Sequence, residues 1–168
     1  SLDECVDLGL VAPYKIYCLS TSLVDQEQKD YKKANNMFLH YKYKLGQFDA
    51  FNEAKRILAD SSSGSHEKQW AVLFYRAIRQ RKTVVDFAVN KIDLIKKIVL
   101  LNASNRILTF SGANEFTDQI CEALDPLALS YHSKKTKKQR DKALKDFKSG
   151  DVNVLCSTKA LNQGFDVP

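Results

Sequence analysis

The sequence predicts an α/β protein: a mainly parallel sheet of about four strands flanked by helices, with a helical insertion. Three observations lead there. From Arg106 onward short apolar runs alternate with amphipathic stretches, the pattern of successive strand and helix units in a parallel sheet. Residues 14–20, "YKIYCLS", concentrate Tyr and Ile, side chains that suit a pleated strand. Between these regions, for about eighty residues, apolar positions recur three and four apart, the spacing of one helix face.

Taken in order, 14–20 is the first expected strand. In "QEQKDYKKANNMFLHYKYKL" the face Tyr31, Ala34, Phe38, Tyr41 and Leu45 predicts a helix that stops at Gly46. "AFNEAKRILA" predicts a second, burying Phe51, Ala54 and Leu58, before the small polar run "DSSSGSH" at 60–66 interrupts it. "EKQWAVLFYRAIRQR" carries Trp70, Leu73, Phe74 and Ala77 at helical spacing. "TVVDFAVNKIDLIKKIVLLN" follows as a separate helix capped by Thr83, with Lys91 among its apolar residues. Nothing in 22–101 carries chemistry by itself. "RILTF" (106–110) is then a strand, "EFTDQICEAL" a helix with Asn114 as its cap, "LALSYHS" (127–133) a strand, "KKTKKQRDKALKDFKSG" a basic helix closed by Gly150, and "VNVLCST" (152–158) the last strand.

Composition narrows the class. A chain of 168 residues with 44% hydrophobic content supports one domain that buries about 70% of its unfolded surface. No run approaches the roughly 20 apolar residues of a membrane span, and "SLDECVDLGL" lacks the basic start and apolar core of a signal peptide. A cytoplasmic setting, or one at the nucleoid or nucleus, is expected. Cys5, Cys18, Cys121 and Cys156 are scattered without a C-x-x-C pair, so neither zinc nor a disulfide framework is indicated, and Cys18 and Cys156 fall in apolar runs as core thiols. His40 and His66 are isolated. The net charge of +6 is matched by one segment: Lys134–Lys148 holds eight basic and two acidic residues. Such a run is either the footprint of a polyanion or a solvated helix face.

In parallel sheets ligands collect beyond the carboxyl ends of the strands. Three loops are expected there: Ser111–Asn114, His132–Thr136 and Thr158–Pro168. They suit phosphates. Ser111, Ser133, Ser157 and Thr158 bring hydroxyls, Gly112 and Gly164 permit close backbone approach, and Lys134, Lys135 and Arg140 add positive charge beside a helix N-terminus.

The order "RILTFSG", "YHSKKTKKQRDKALKDFKSG" and "VLCSTKALNQGFDVP" resembles the second RecA-like lobe of superfamily 2 helicases. "RILTF" is similar to motif IV, and "VLCSTKALNQGFDVP" to motif V, with its apolar strand, Thr, short loop and Gly-x-Asp-x-Pro. "FAVNKIDLIKKIV" and the helical segment after "YKIYCLS" resemble the repair and recombination branch that includes UvsW- and XPB-like proteins. The resemblance implies that Thr158 bonds a backbone phosphate, that Gly164 and Asp166 face a nucleotide in the cleft between lobes, and that Arg140 contacts phosphate or braces motif V. It implies that Ser111, Gly112, Ser133, Lys134 and Lys135 line the nucleic-acid track, with DNA favoured over RNA. Residues 1–21 are then a leading segment and first strand, 22–101 the helical insertion, and 102–168 the lobe, stopping before motif VI.

No G-x-x-x-x-G-K-[ST] loop and no strand-ending Asp-Glu pair is found in the sequence. The resemblance therefore implies ATP and Mg only in a complete parent with an N-terminal RecA-like lobe, and no catalytic residue, metal ligand or ATPase activity in this chain alone. The expectation is a fragment of an ATP-dependent helicase. A stand-alone nucleic-acid-binding module and an unrelated α/β interaction domain are the alternatives.

Overall fold

The computed structural model describes residues 8–9 and 12–158. Four helices come first: α1 (Asp25–Lys44), α2 (Ala50–Ala59), α3 (Ser65–Asp86) and α4 (Val89–Leu101). Strand and helix then alternate through β1 (Ile107–Phe110), α5 (Asn114–Ala123), β2 (Ala128–Tyr131), α6 (Lys137–Ser149) and β3 (Val154–Ser157).

The sheet has three strands in the order β1-β3-β2, both pairings parallel. Val154 lies opposite Ile107 on one side and Ala128 on the other, and Ser157 opposite Phe110 and Tyr131. β3 therefore has a hydrogen-bonded neighbour on each edge and a layer on each face, and all four of its residues are buried. This is why it reads as a continuous apolar run and not an alternating one. The chain passes over β3 on its way from β1 to β2 and then turns back. With crossovers of one hand, that reversal puts α5 and α6 on opposite faces. Phe116 and Ile120 of α5, with Leu124 just after it, pack with Val154 and Cys156 on one face. Ala143 and Phe147 of α6 pack with Leu155 on the other.

The expected strand at 14–20 is not formed, so the sheet has three strands and not four. Residues 12–20 have no regular secondary structure and are exposed, with Ile16, Tyr17 and Cys18 all in solvent. A strand exists only as a partner in a ladder, and β-propensity measures how well side chains fit a half-buried pleat. β1 and β2 each keep an unpaired outer edge in the sheet, but residues 14–20 form a ladder with neither. Cys18 accordingly is not a core thiol, whereas Cys156 is buried.

The helical segment forms its own core. α1 and α3 lie antiparallel along one another: Arg81 stacks on Phe38 and donates to the Tyr31 hydroxyl near one end, Phe38 stacks on Phe74 midway, and Lys44 sits over Trp70 near the other. Leu45, Ala50, Ala54, Ile57, Ala71 and Phe74 close the core with α2. Gly46 follows α1 with φ +83°, a conformation that ends a helix without steric cost only for glycine. The face of α2 differs from the expected one: Ala50, Ala54 and Ile57 are buried, while Phe51 and Leu58 are exposed. In a helix of ten residues the apolar positions fit two neighbouring faces, and packing against α3 selects one.

Thr83 caps nothing. α3 runs on to Asp86, and the break falls at Phe87 and Ala88. The cap of α4 comes from across the fold: Glu27 accepts from Val89 N with one carboxylate oxygen (2.9 Å) and from Val24 N with the other (3.0 Å). A single side chain thus closes the first turns of α1 and α4. Asn90 Nδ2 adds a bond to Ser22 O at 2.8 Å. α4 packs on the sheet side, where Val99, Ile92, Ile95 and Phe87 join the core of α5 and β3.

The position of the α2 face is testable by equilibrium denaturant unfolding. Ile57→Ala, at a side chain 4% exposed, is expected to cost about 2–5 kcal/mol. Leu58→Ala, at 43% exposure, is expected to cost under about 1 kcal/mol.

Candidate nucleic-acid interface

The three strands are parallel, so the segments that follow them emerge at one end of the sheet. Ser111 is joined to β3 directly, its N–H donating to Ser157 O at 2.9 Å. Its hydroxyl donates to Ala113 O (2.8 Å) and lies 2.7 Å from Thr117 Oγ1, and Thr117 is fully buried. Ser111 therefore shapes the loop that leads into α5. Gly112 stands at its exposed turn, where an added Cβ would meet the Asp86 carboxylate at 3.4 Å. α5 starts at Asn114 with Ala113 as its N-cap and no side chain closing it. Asn114 is not the cap. Its Oδ1 accepts from Thr158 Oγ1 at 3.1 Å, across 44 residues of sequence. The loops after β1 and β3 are thus in side-chain contact.

The loop after β2 is fastened to α5 by charge. His132 is 1% exposed, with Nε2 at 3.0 Å from Asp118 Oδ1. Lys135 Nζ reaches the same oxygen at 2.9 Å, and Lys134 pairs with Glu115 one turn earlier on the helix. The Lys135 N–H closes the loop onto His132 O at 3.0 Å. Ser133 is exposed at its tip. Partial burial works to raise the Asp118 carboxyl, but hydrogen bonds from His132, Lys135 and Ser130 outweigh it and hold the group below the ordinary range. Glu115 is lowered as well, first by the Lys134 hydrogen bond, and Lys134 is raised by the same contact.

Thr136 caps α6 reciprocally with Gln139, accepting from Gln139 N at 3.3 Å while Gln139 Oε1 accepts from Thr136 N at 2.9 Å. Gly150, at φ +85°, ends the helix. Arg140 turns toward the buried side, and its Nε is buried with no hydrogen-bond partner. Lys138, Lys142 and Lys145 lie on the opposite, exposed face. Because α6 returns antiparallel to the strands, its N-terminal lysines sit at the loop end of the sheet. Lys145 is about 12 Å down the helix axis from Lys137 at 1.5 Å per residue.

Of the expected site residues, Ser111, Gly112, Ser133, Lys134, Lys135, Arg140 and Thr158 belong to the three strand-end segments and the helix that follows one of them. Gly164 and Asp166 lie outside the described residues. The sequence reading gave Asn114 only as a helix cap and passed over Glu115 and Asp118; the three bind these loops together. Their spacing on the first turns of α5 was the available signal, since three polar side chains there face whatever the neighbouring loop presents.

A parallel sheet with polar, cation-flanked loops at one end matches the form expected of a partial RecA-like lobe. Residues 90–168 match the helicase conserved C-terminal domain, and this part of the chain is similar to the C-terminal lobe of superfamily 2 helicases. The DNA 3'-5' translocase XPB2 of Sulfurisphaera tokodaii is 24% identical over 162 residues, 94% of this chain and 35% of that protein. The ATP-dependent RNA helicase dbp2 of Schizosaccharomyces pombe is 33% identical over 95 residues, 54% of this chain and 17% of that protein. The crystal structure of the Pyrococcus furiosus Hef helicase domain aligns with 82% of this chain and 28% of its own at 21% identity and a TM-score of 0.40. The chain spans about a third or less of each of these relatives.

Both loop carboxylates have folded pKa values below their unfolded ones, so the ties to Lys134 and Lys135 contribute fully above the ordinary carboxylate range, near pH 4. They are lost as pH falls through the lowered values. In an NMR titration of the carboxyl carbons, Lys135→Ala is expected to move the Asp118 midpoint upward and leave that of Glu115 in place. An unmoved Asp118 midpoint would refute the contact.

Proposed function

We propose that this lobe grips the phosphate backbone of a nucleic-acid strand within an ATP-dependent superfamily 2 motor, and contributes one wall of the ATP site between two lobes. The observation that carries the reading is the convergence of Ser111, Thr158 and the Lys134–Lys135 pair at one end of the sheet, with Asn114 bridging to Thr158 at 3.1 Å. Hydroxyls, exposed loop backbone and ammonium groups contact phosphates without reading bases. Thr158 binds the strand, Ser111 and Gly112 set the backbone beside it, and Ser133, Lys134 and Lys135 follow its phosphates. Arg140 braces the motif V loop from the buried side of α6. Gly164 and Asp166 face the nucleotide.

DNA is the favoured strand, because the relative matched along 94% of the chain is a DNA translocase. The RNA helicase dbp2 matches 54% of the chain. Among the described residues no group of three or more His, Cys, Asp or Glu is placed to hold a metal ion. The triphosphate and magnesium sites are assigned to an N-terminal lobe of the parent protein, with this lobe closing on them. The motor works wherever its nucleic acid is, in the cytoplasm, nucleoid or nucleus.

Lys134 and Lys135 are pre-paired with carboxylates, so a bound strand competes with Glu115 and Asp118 for them. Anisotropy of a labelled single-stranded DNA oligonucleotide, titrated with salt, tests the grip. Lys134→Ala and Lys135→Ala are each expected to weaken binding and to flatten the slope of log K against log salt by about 0.7–1. Glu115→Gln should tighten binding, and Lys145→Ala should leave it unchanged. In the complete parent, Thr158→Ala should lower nucleic-acid-stimulated ATP hydrolysis. Slopes unaltered in both loop-lysine variants would defeat the assignment.

A further inference from the structure

The turn between α1 and α2 exposes aromatic side chains that the core has no use for. Phe48 is 101% exposed, Tyr43 71% and Phe51 56%. Single exposed apolar residues need no explanation, but a cluster at one projecting point does. The turn and the Phe51 ring are held in place. Asp49 N–H donates to Gly46 O at 3.2 Å, and Asn52 Nδ2 to Asp49 Oδ1 at 2.9 Å, fixing the turn that carries Phe48. Phe51 meets Tyr75 edge to face with centroids 5.4 Å apart, and the Tyr75 hydroxyl donates to Phe51 O at 3.3 Å. Tyr75 in turn abuts the buried Phe74 at 5.9 Å. Phe51 is thus braced through Tyr75 on the core of the helical segment, and Phe48 projects from the turn just before it.

The surroundings are cationic. Lys42, Lys44 and Lys55 lie on the two helices that flank the turn, and none of them enters an ion pair among the described residues. Over residues 25–86 there are twelve basic and eight acidic side chains, an excess of four. A buried apolar protein partner would have to desolvate these lysines, whereas a nucleic acid presents bases to the rings and phosphates to the ammonium groups. The arm also starts from the loop end of the sheet: Glu27 caps α4, and Asp86 reaches Gly112. α1, with 20 residues, carries the tip about 30 Å from that base at 1.5 Å per residue.

We propose that Phe48 and Phe51 form a nucleobase-stacking platform at the tip of the α1–α3 arm, taking an unstacked base of the strand whose phosphates the loops hold. This rests on the phosphate-grip reading above. Aromatic rings accept the face of any base, so the platform adds affinity without sequence preference. It acts some 30 Å from the arm's base, where a strand leaves a duplex or bends away from it.

The test uses this chain with oligonucleotides carrying 2-aminopurine, in single strands and at the junction of a tailed duplex, and reads both anisotropy and 2-aminopurine fluorescence. Stacking on an aromatic ring should quench the probe at one position of the oligonucleotide. Phe48→Ala should abolish that quenching and weaken binding by about 5- to 100-fold, while Phe48→Trp should retain both. Wild-type affinity and quenching in the Phe48→Ala, Phe51→Ala double variant, alongside weakened binding in Lys134→Ala, would overturn the platform and leave the phosphate grip standing. Absence of any salt-sensitive binding by the wild-type chain would overturn both. A change from dimer to monomer on Phe48→Ala, seen by light scattering without loss of quenching, would make the tip a protein interface and overturn the platform.

Discussion

The complete burial of β3 is the constraint on which the lobe depends. A strand that is paired on both edges and covered on both faces admits no polar side chain until it ends, so its first hydroxyls appear at Ser157 and Thr158, where the sheet opens to the loops. The same burial dictates the packing on either side. Val154 and Cys156 take α5 and α4 on one face, and Leu155 takes α6 on the other. Since the neighbours of β3 are both parallel to it, the loops after β1 and β2 are delivered beside its own carboxyl end. The site is therefore a consequence of topology before it is a matter of side chains.

What topology brings near, α5 fastens. Its first turns present Asn114 to the segment after β3 and Glu115 and Asp118 to the loop after β2. The loop lysines are consequently oriented and partly neutralised in the free protein. That arrangement lowers the entropy lost when they order on a ligand, and it sets a competition that any phosphate must win. His132, nearly all buried yet bonded to Asp118, ties the end of β2 into the same network.

Much of the lobe was legible from sequence because its units are local. The β1, β2 and β3 runs and Gly150 as a helix stop each follow from a few neighbouring residues. The parallel order and the three strand-end loops followed from the alternation of strand and helix. The failures share one cause, a partner distant in sequence. Residues 14–20 have strand composition but pair with neither open edge of the sheet, α2 turns a different face because α3 packs on it, and Thr83 is passed over because α4 is capped by Glu27 from 62 residues away. Phe51 reads as helical core for the same reason, since periodicity alone does not reveal which face meets a neighbour.

The sequence by itself determined the α/β class of this protein: the alternation of strand and helix from Arg106 onward, the concentration of basic residues from Lys134 to Lys148, and the identity of the groups that follow each strand. These are fixed by local chemistry and survive any choice of packing. The tertiary structure decided which of those groups meet, through the 3.1 Å contact of Thr158 with Asn114, the carboxylates set against Lys134 and Lys135, and the arm that lifts Phe48 into solvent. Contacts between residues far apart in the chain depend on where whole elements dock, and docking is set by the summed burial of many side chains, which no single stretch of sequence displays.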